Sequence, residues 1–215
     1  MRVELVIFDC DGVLIDSEPI ANRVIRERLA SVGLRLPLQE VMRTFVGNTR
    51  AGCIALASRM LGRPLPPDFG AQWDEALYAA LRAEVKPVDG VPELLASMKT
   101  PYCVASNGEP ERMRIALEAA GLLHFVKDTL FTASEVKHPK PAPDLFLHAA
   151  RHMKVAARDA VVVEDTVTGV KAAVAAKMKV FGYAGAPHAD ASALKSAGAV
   201  PFTSMGELPA LLEAA

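Results

Sequence analysis

Two aspartates separated by a single residue follow an apolar run near the start of the chain. The run is Leu5–Phe8, and Asp9 and Asp11 come directly after it, with Cys10 between them. In extended chain, side chains two residues apart point to the same side, so the two carboxylates are expected to share one small space. A carboxylate can attack a phosphorus atom, and a neighbouring one can act as general acid and base. The spacing therefore favours chemistry in which one aspartate attacks and the other moves protons.

A second acidic pair stands at the end of a later apolar run. Glu164 and Asp165 follow Ala160–Val163 in the same way that the first pair follows its own run. If both runs are strands of one sheet, several negative charges meet in a small volume, which is unfavourable without a compensating cation. Hard oxygen ligands with room for water suit Mg²⁺. The acidic residues therefore predict a magnesium site.

Groups suited to binding a phosphate stand at two further points of the chain. Ser106 and Asn107 follow the apolar run Tyr102–Ala105, and Lys140 lies in a proline-rich approach to a predicted helix. Backbone N–H groups before a helix bind anions, and a lysine adds a point charge. Together with the carboxylates, these groups supply the positioning and charge compensation that phosphoryl transfer needs.

The elements that must position these groups alternate between strand and helix. Short apolar runs are separated by segments of helical period, which indicates a parallel sheet covered on both faces. Ligands of such sheets bind at the carboxyl ends of the strands, where the polar residues above stand. The predicted fold is therefore α/β, with a Rossmann-like parallel sheet. Its predicted strands are Leu5–Phe8, Tyr102–Ala105, Thr129–Thr132, Ala160–Val163 and Val180–Tyr183.

One long stretch after the first strand breaks this alternation. Between Ile15 and Pro87 the sequence shows helical periodicity without a convincing strand, and a proline-rich turn at residues 64–67 divides it. The simplest architecture is an α/β core interrupted by a small helical insert. The predicted domains are residues 1–15 with 88–215 for the core and residues 16–87 for the insert.

Composition narrows the class of partner. The 215 residues are 51% hydrophobic, with 24 basic and 25 acidic side chains and a formal net charge of -1. This balance predicts no nucleic-acid surface, and no apolar run is long enough for a membrane helix or a signal peptide. The three cysteines form no metal-ligand or disulfide pattern and are expected to be apolar fillers in a reducing compartment. We therefore expect a cytoplasmic protein; its oligomeric state is left open, a monomer included.

Four motifs together resemble the haloacid dehalogenase superfamily. Residues 9–18, which read Asp-Cys-Asp-Gly-Val-Leu-Ile-Asp-Ser-Glu, are similar to its first motif, and Ser106 matches the second. Lys140, in the sequence Lys-Pro-Ala-Pro-Asp, matches the third motif, and Glu164-Asp165 matches the fourth. The insert resembles the helical cap of the β-phosphoglucomutase-like branch. The whole pattern resembles the sugar-phosphate phosphatases of that branch, of the 6-phosphogluconate phosphatase type.

The resemblance implies roles for the acidic residues. Asp9 would be the nucleophile that becomes phosphorylated. Asp11 would protonate the leaving oxygen and then activate water. Mg²⁺ would be held by the carboxylate of Asp9, the backbone carbonyl of Asp11, and Asp165. Glu164 would bind the metal directly or through water.

The resemblance also implies how a substrate is bound. Ser106 and Lys140 would bind the transferring phosphoryl group, with help from Asn107. A loop of the cap would meet the rest of the substrate, and it comprises Gly47, Asn48, Thr49 and Arg50. Arg50 is the best candidate of the four for specificity. The implied partner is a small phosphorylated metabolite.

The sequence is compatible with three candidate functions, one of which is favoured. A Mg²⁺-dependent phosphatase acting on a sugar or sugar-acid phosphate is favoured, because Asp11 can protonate an ester oxygen and its counterpart is absent from related dehalogenases and phosphonate-cleaving enzymes. A hexose phosphate mutase is the first alternative. Mutases of this branch carry a histidine shortly after the first motif, whereas no histidine precedes His124 here. A receiver-like phospho-acceptor is the second alternative, but a receiver is a single compact unit and does not explain the helical insert.

Overall fold

Six short strands lie side by side in one parallel sheet in the computed structural model. They are β1 (Leu5–Phe8), β2 (Tyr102–Ser106), β3 (Leu130–Thr132), β4 (Ala160–Glu164), β5 (Lys179–Tyr183) and β6 (Val200–Phe202). Their order across the sheet is β3-β2-β1-β4-β5-β6, and each neighbouring pair is parallel. The first strand is therefore central. The predicted α/β fold is confirmed.

The central strands are apolar at almost every position because the sheet is buried on both faces. Every residue of β1 is fully buried, and Ile7 lies in register with Cys103 of β2 and Val162 of β4. Branched and aromatic side chains suit the pleated chain and gain about 25 cal/mol for each Å² of apolar surface removed from water. This packed core holds the ends of the central strands in place.

The structure describes residues 3–45, 50–186 and 189–215. Three of the residues predicted to meet the substrate lie outside the described residues, namely Gly47, Asn48 and Thr49. The helices are α1 (Glu18–Ser31), α2 (Leu38–Phe45), α3 (Arg50–Leu61), α4 (Phe69–Glu84), α5 (Val91–Ser97), α6 (Pro110–Ala119), α7 (Leu123–Val126), α8 (Asp144–His152), α9 (Val167–Ala175), α10 (Ala191–Ala197) and α11 (Leu208–Glu213). In this described part of the chain, no helix combines the length and the apolar character needed to cross a membrane.

The chain divides into two compact units. The sheet unit comprises Met1–Asp16 with Lys86–Ala215, and the helical unit comprises Ser17–Val85, which contains α1 to α4. The helical unit has its own apolar core, to which Leu29 and Val41 contribute. It begins one residue after the start predicted for the insert, residue 16, and ends two residues before the predicted end, residue 87.

The sequence patterns miss the last strand and end two others one residue too early. β6 has only three residues, and its middle one is Pro201, a residue that is unusual within a strand. Its place at the edge of the sheet tolerates the proline. β2 and β4 continue to Ser106 and Glu164. Two of the predicted site residues therefore belong to the strands, and pairing with neighbouring strands holds their backbones.

Candidate active site

The carboxyl ends of the three central strands bring predicted catalytic groups together. Asp9 continues β1, and its backbone N–H donates to the carbonyl of Val163 in β4 at 2.9 Å. Ser106 ends β2, and Glu164 ends β4. Because β1 lies between these two strands, the three polar side chains meet at one edge of the sheet.

Lys140 connects the residues that follow β1 and end β4. Its Nζ lies 2.6 Å from Asp9 Oδ1 and 2.8 Å from Glu164 Oε1, and its side chain is buried. The same atom lies 4.6 Å from the centre of the Phe146 ring, a cation–π contact. Burial lowers the pKa of the Lys140 ammonium, but the two carboxylates outweigh burial and raise this pKa above its ordinary value. Lys140 is therefore a permanent cation in the site.

The pKa of Asp9 is also raised, which for a carboxyl group disfavours the charged form. Burial raises the pKa of its carboxyl group well above the ordinary value, and Lys140 offsets part of this effect. The negative charges of Glu164, Asp165 and Asp11 raise the pKa further. The ionised form of Asp9 is therefore disfavoured in the protein alone, and an additional cation would relieve it.

A second cation at this edge is Arg112, which no motif of the sequence predicts. Its Nη2 forms an ion pair with Asp11 Oδ2, and the two side chains are 20% and 19% exposed. The charge of Asp11 is the main reason that the pKa of Arg112 is raised. Arg112 lies in the first turn of α6, where the helix dipole disfavours a cation. A basic residue at such a position indicates an anionic partner, and this signal could have identified it.

The charges at this edge fit a bound divalent cation. They belong to four carboxylates and two cations, namely Asp9, Asp11, Glu164, Asp165, Lys140 and Arg112. When all six are ionised, four negative and two positive formal charges give this set a charge of -2. Among residues 3–45, 50–186 and 189–215, no three His, Cys, Asp or Glu side chains are already arranged as metal ligands. The Mg²⁺ ligands predicted from the sequence require only two directly bound carboxylates, those of Asp9 and Asp165, because the third protein ligand is the backbone carbonyl of Asp11. These hard oxygen donors fit Mg²⁺.

Glu164 is held by the protein at both carboxylate oxygens. Oε1 accepts a hydrogen bond from the Lys140 ammonium. Oε2 accepts hydrogen bonds from the backbone N–H groups of Asp165 and Thr166 at 3.1 and 3.0 Å. The Thr166 hydroxyl also donates to Oε2 at 2.8 Å, and its oxygen caps α9 by accepting the N–H of Gly169 at 3.0 Å. This arrangement favours the water-mediated form of the predicted contact between Glu164 and the metal.

Gly169 is a position in this network where a side chain does not fit. A Cβ atom there would overlap the Glu164 carboxylate. Gly169→Ala should therefore lower the free energy of unfolding by about 1–3 kcal/mol, the usual cost of overpacking. Turnover should fall as well, because Glu164 is the partner of Lys140. Thermal unfolding and steady-state kinetics measure the two effects.

The matched control for this substitution is Gly70→Ala in α4. A Cβ atom at Gly70 would make an ordinary contact of 3.4 Å with Ile54. Since alanine favours a helix over glycine by up to about 1 kcal/mol, this variant should be as stable as the wild type or slightly more stable. Equal destabilisation by the two substitutions would contradict the prediction.

The side chain of Asn107, a predicted phosphate ligand, forms hydrogen bonds with the backbone of Lys140. Its Nδ2 donates to the Lys140 carbonyl at 3.1 Å, and its Oδ1 accepts the Lys140 N–H at 3.0 Å. This two-point clamp joins the loop after β2 to the loop that carries Lys140. The neighbouring Ser106 is buried at the end of its strand, and its hydroxyl accepts the N–H of Gly108 at 3.1 Å. The Asn107 side chain therefore positions Lys140, while its main-chain N–H is the group suited to a phosphate.

Asn107→Asp should damage the site although it changes only one atom. The acceptor for the Lys140 N–H is kept, but the donor becomes an oxygen that faces the Lys140 carbonyl. We expect kcat/KM for a phosphate ester to fall by about 10-fold or more, since one hydrogen bond of about 1 kcal/mol is replaced by a repulsive contact. Inhibition by inorganic phosphate should weaken too. Asn107→Ala, which removes the clamp without repulsion, should lose less; an aspartate variant with wild-type kinetics would contradict this prediction.

Arg50, the predicted specificity residue, begins α3 and forms an ion pair with Asp74 of α4. Both residues belong to the helical unit, and the Arg50 side chain is half-exposed. Its charge is therefore shared with a partner inside that unit, and its role toward a substrate stays a prediction.

The thiol between the two aspartates is poorly suited to nucleophilic chemistry. Cys10 is fully buried, and burial together with the charges of Asp11 and Asp9 raises the pKa of its thiol well above the usual range. A buried neutral thiol is a weak nucleophile. Cys53 and Cys103 are likewise buried and free. All three thiols are therefore packing residues.

Several known proteins are similar to this chain in sequence over most of their length. The model of the haloacid dehalogenase-like hydrolase family matches residues 3–177. The chain is 32% identical over 214 residues to 6-phosphogluconate phosphatase of Escherichia coli, which covers 99% of this chain and 96% of that protein. It is also 32% identical over 175 residues to fructose-1-phosphate phosphatase of Escherichia coli, which covers 80% of this chain and 92% of that protein.

A solved structure of a related hydrolase shows the same fold. The HAD family hydrolase from Deinococcus radiodurans R1, crystallised with bound phosphate and sodium, matches with a TM-score of 0.82 and 35% identity over 99% of this chain and 96% of that chain. The predicted enzyme class, a phosphatase, is confirmed by the family match and by the phosphatase relatives. With a family match over residues 3–177 and a parallel sheet whose central strands lead into the acidic motifs, the chain belongs to the haloacid dehalogenase-like hydrolase family.

Proposed function

We propose that the protein is a Mg²⁺-dependent phosphatase that hydrolyses a small phosphorylated sugar or sugar acid through an aspartyl-phosphate. The observation that carries this proposal is the buried network in which Lys140 joins Asp9 to Glu164, next to the charge of Asp11. This network combines a nucleophile, a proton carrier and a fixed cation at one end of the sheet.

The phosphoryl group would be bound between Asp9 and the loop after β2. The Ser106 hydroxyl and the main-chain N–H groups at the start of α6 are hydrogen-bond donors for its oxygens, and the dipole of this ten-residue helix adds positive potential. Lys140 would compensate the charge on the equatorial oxygens. The clamp from Asn107 to the Lys140 backbone would keep this cation in place.

In the first half-reaction, a carboxylate oxygen of Asp9 attacks phosphorus and forms a new O–P bond. The P–O bond to the sugar breaks in line with the attack, and its electron pair leaves with the ester oxygen. The carboxyl group of Asp11 gives its proton to that oxygen, so that the sugar departs as a neutral alcohol. The products of this step are the aspartyl-phosphate and the Asp11 carboxylate.

In the second half-reaction, water attacks phosphorus and gives a proton to the Asp11 carboxylate. The bond between phosphorus and the Asp9 oxygen breaks, and its electron pair returns to the carboxylate. Inorganic phosphate leaves, and both aspartates regain their starting protonation states. The same side chain thus acts first as general acid and then as general base.

Mg²⁺, when bound, would supply positive charge that offsets the carboxylates and the phosphoryl oxygens. Asp9 and Asp165 would hold it through their carboxylates, Asp11 through its backbone carbonyl, and Glu164 through water. The formal charge of -2 on the six ionised side chains at this edge supports this part of the proposal.

The names of the relatives support a sugar or sugar-acid substrate. One is a 6-phosphogluconate phosphatase, whose substrate is a sugar-acid phosphate, and another is a fructose-1-phosphate phosphatase. The first identity covers 99% of this chain, and the second covers 80% of it. The missing early histidine of the mutases supports hydrolysis over transfer back to the sugar.

A phosphate-release screen tests this function. The purified protein is assayed with MgCl₂ against sugar phosphates, sugar-acid phosphates, nucleotides and phosphoglycolate, with an EDTA-treated sample as the control. We expect Mg²⁺-dependent release that is fastest with a sugar or sugar-acid phosphate. Absence of release from every ester would refute the proposal, and interconversion of sugar-phosphate isomers faster than phosphate release would favour a mutase.

A further inference from the structure

Arg112 reaches the candidate site because a glycine leaves room for it. A Cβ atom at Gly108 would lie 3.0 Å from Arg112 Nη2 and 2.9 Å from Met113 Cγ, closer than side chains ordinarily approach. Met113 is buried, which holds this turn of α6 against the core. The lack of a side chain at Gly108 thus lets the guanidinium group lie over the loop after β2 and pair with Asp11.

Asp11 needs such a partner more than the other carboxylates of the site. It precedes Gly12, whose φ of 81° turns the chain away from the direction of β1. The Asp11 side chain is also more exposed than those of Asp9 and Glu164. Repulsion from the neighbouring carboxylates would drive a side chain with an open path toward the solvent. Arg112 supplies an attraction that opposes this movement.

We propose that Arg112 is a positioning residue that holds the Asp11 carboxyl group toward the leaving-group oxygen. This inference rests on the proposed function, because it requires Asp11 to protonate that oxygen. Arg112 pairs with Oδ2, and this contact restricts rotation of the carboxyl group. Loss of Arg112 should therefore impair protonation of the leaving group and spare the binding of the phosphoryl group.

A comparison of two leaving groups can distinguish this positioning role from a general structural role. A sugar phosphate expels an alkoxide-like oxygen, which needs a proton as the P–O bond breaks. p-Nitrophenyl phosphate expels a stabilised phenolate, which departs with the electron pair of the broken bond and without a proton. In the first half-reaction, a residue that positions the acid should matter for the first ester and hardly for the second. The second half-reaction is the same for both esters, so kcat/KM is the quantity to compare.

The test compares Arg112→Ala, Arg112→Lys and the control Arg114→Ala on both kinds of ester. Arg114 is an exposed arginine on the same helix. With 6-phosphogluconate or fructose 1-phosphate, kcat/KM of Arg112→Ala should fall by about 100-fold, the scale of a misplaced general acid. With p-nitrophenyl phosphate, kcat/KM, which reports the first half-reaction only, should fall by less than about 3-fold, and the inhibition constant of inorganic phosphate should change equally little. Lysine should recover part of the loss, because it keeps the charge but not the planar fork.

A double-mutant cycle with Asp11→Asn completes the experiment. If Arg112 acts through Asp11, adding Arg112→Ala to Asp11→Asn should not lower turnover of the alkyl ester any further. Additive losses would overturn the inference, as would equal losses of kcat/KM on both esters or wild-type kinetics in Arg112→Ala. A weakened inhibition by inorganic phosphate would overturn it in favour of direct phosphoryl binding.

Failure of the proposed function gives a different result. In that case the wild-type protein releases no phosphate from 6-phosphogluconate, fructose 1-phosphate or p-nitrophenyl phosphate in the presence of Mg²⁺, and the role of Arg112 falls with the function. A wild type that is active on these esters, with a variant that shows no leaving-group dependence, overturns the inference alone.

Discussion

Asp9→Asn should abolish turnover and, in the metal-free protein, raise the temperature of thermal unfolding. Asparagine has nearly the shape of aspartate, but its amide oxygen cannot form the O–P bond that starts the reaction. Loss of the nucleophile removes the covalent route, so kcat should fall by at least about 10⁴-fold, as in other hydrolases that lose a nucleophile. Phosphate release from the best ester of the screen measures this loss.

The gain in stability follows from the pKa of Asp9. Burial and the neighbouring carboxylates raise this pKa in the folded state above its value in the unfolded chain. The carboxyl group therefore contributes stability that is present below the unfolded pKa, about 4, and is lost as the pH rises through the folded pKa. At pH 8 the ionisation of Asp9 favours the unfolded state of the wild type, and the asparagine variant lacks this effect. Near pH 4 the two proteins should unfold at nearly the same temperature.

Thermal unfolding in EDTA between pH 4 and pH 8 checks this expectation. Asp128→Asn, which changes an exposed carboxylate of the same unit, is the control and should unfold like the wild type at every pH. Added MgCl₂ should raise the unfolding temperature of the wild type more than that of Asp9→Asn, since a ligand stabilises the state that binds it. An asparagine variant that is less stable than the wild type at pH 8 would show that the charge of Asp9 is not disfavoured.

Lys140→Met should be a severely destabilising substitution. The side chains of Lys140, Asp9 and Glu164 are only 3%, 10% and 1% exposed, so removal of the ammonium leaves two buried carboxylates without their shared cation. Breaking a buried ion pair by removing one partner costs about 3–5 kcal/mol. Methionine is close to lysine in length and can keep the packing against Phe146, so the loss reports on charge rather than on volume.

Denaturant unfolding at neutral pH measures this cost. The pKa of Lys140 is raised, so its contribution is fully present below its ordinary pKa, about 10.4, and is lost only as the pH rises through the folded value. Lys137→Met, on an exposed lysine three positions earlier, is the control. Adding Glu164→Gln to Lys140→Met should restore part of the stability by removing one uncompensated charge. A cost below about 1 kcal/mol, typical of a surface ion pair, would contradict the prediction.

The groups that end the central strands could be predicted because their signal is local. An apolar run that stops at a carboxylate or a hydroxyl marks the end of a buried strand, and parallel strands place such ends at one edge. Asp9, Ser106 and Glu164 lie together at this edge for that reason. The last strand has no comparable signal, because the middle residue of β6 is a proline, which is unusual within a strand.

The partners of these groups could not be predicted, because they depend on contacts between distant parts of the chain. Asn107 and Lys140 are 33 positions apart, and Arg112 and Asp11 are 101 positions apart. No spacing along the sequence reports whether an amide faces a backbone or a phosphate. The direct metal contact that was one option for Glu164 becomes the less favoured one for the same reason, since both of its oxygens bind protein donors.

The sequence by itself determined the order of the elements, the α/β class and the chemical types of the groups at the strand ends, because periodicity and strand termini are properties of neighbouring residues. Only the tertiary structure decided how these groups are paired. It placed Lys140 between Asp9 and Glu164, turned the Asn107 side chain onto the Lys140 backbone, and brought Arg112 over Gly108 to Asp11. The physical reason is that buried charges must find partners within about 3–4 Å, and packing of the whole sheet unit selects which of the available charges those partners are.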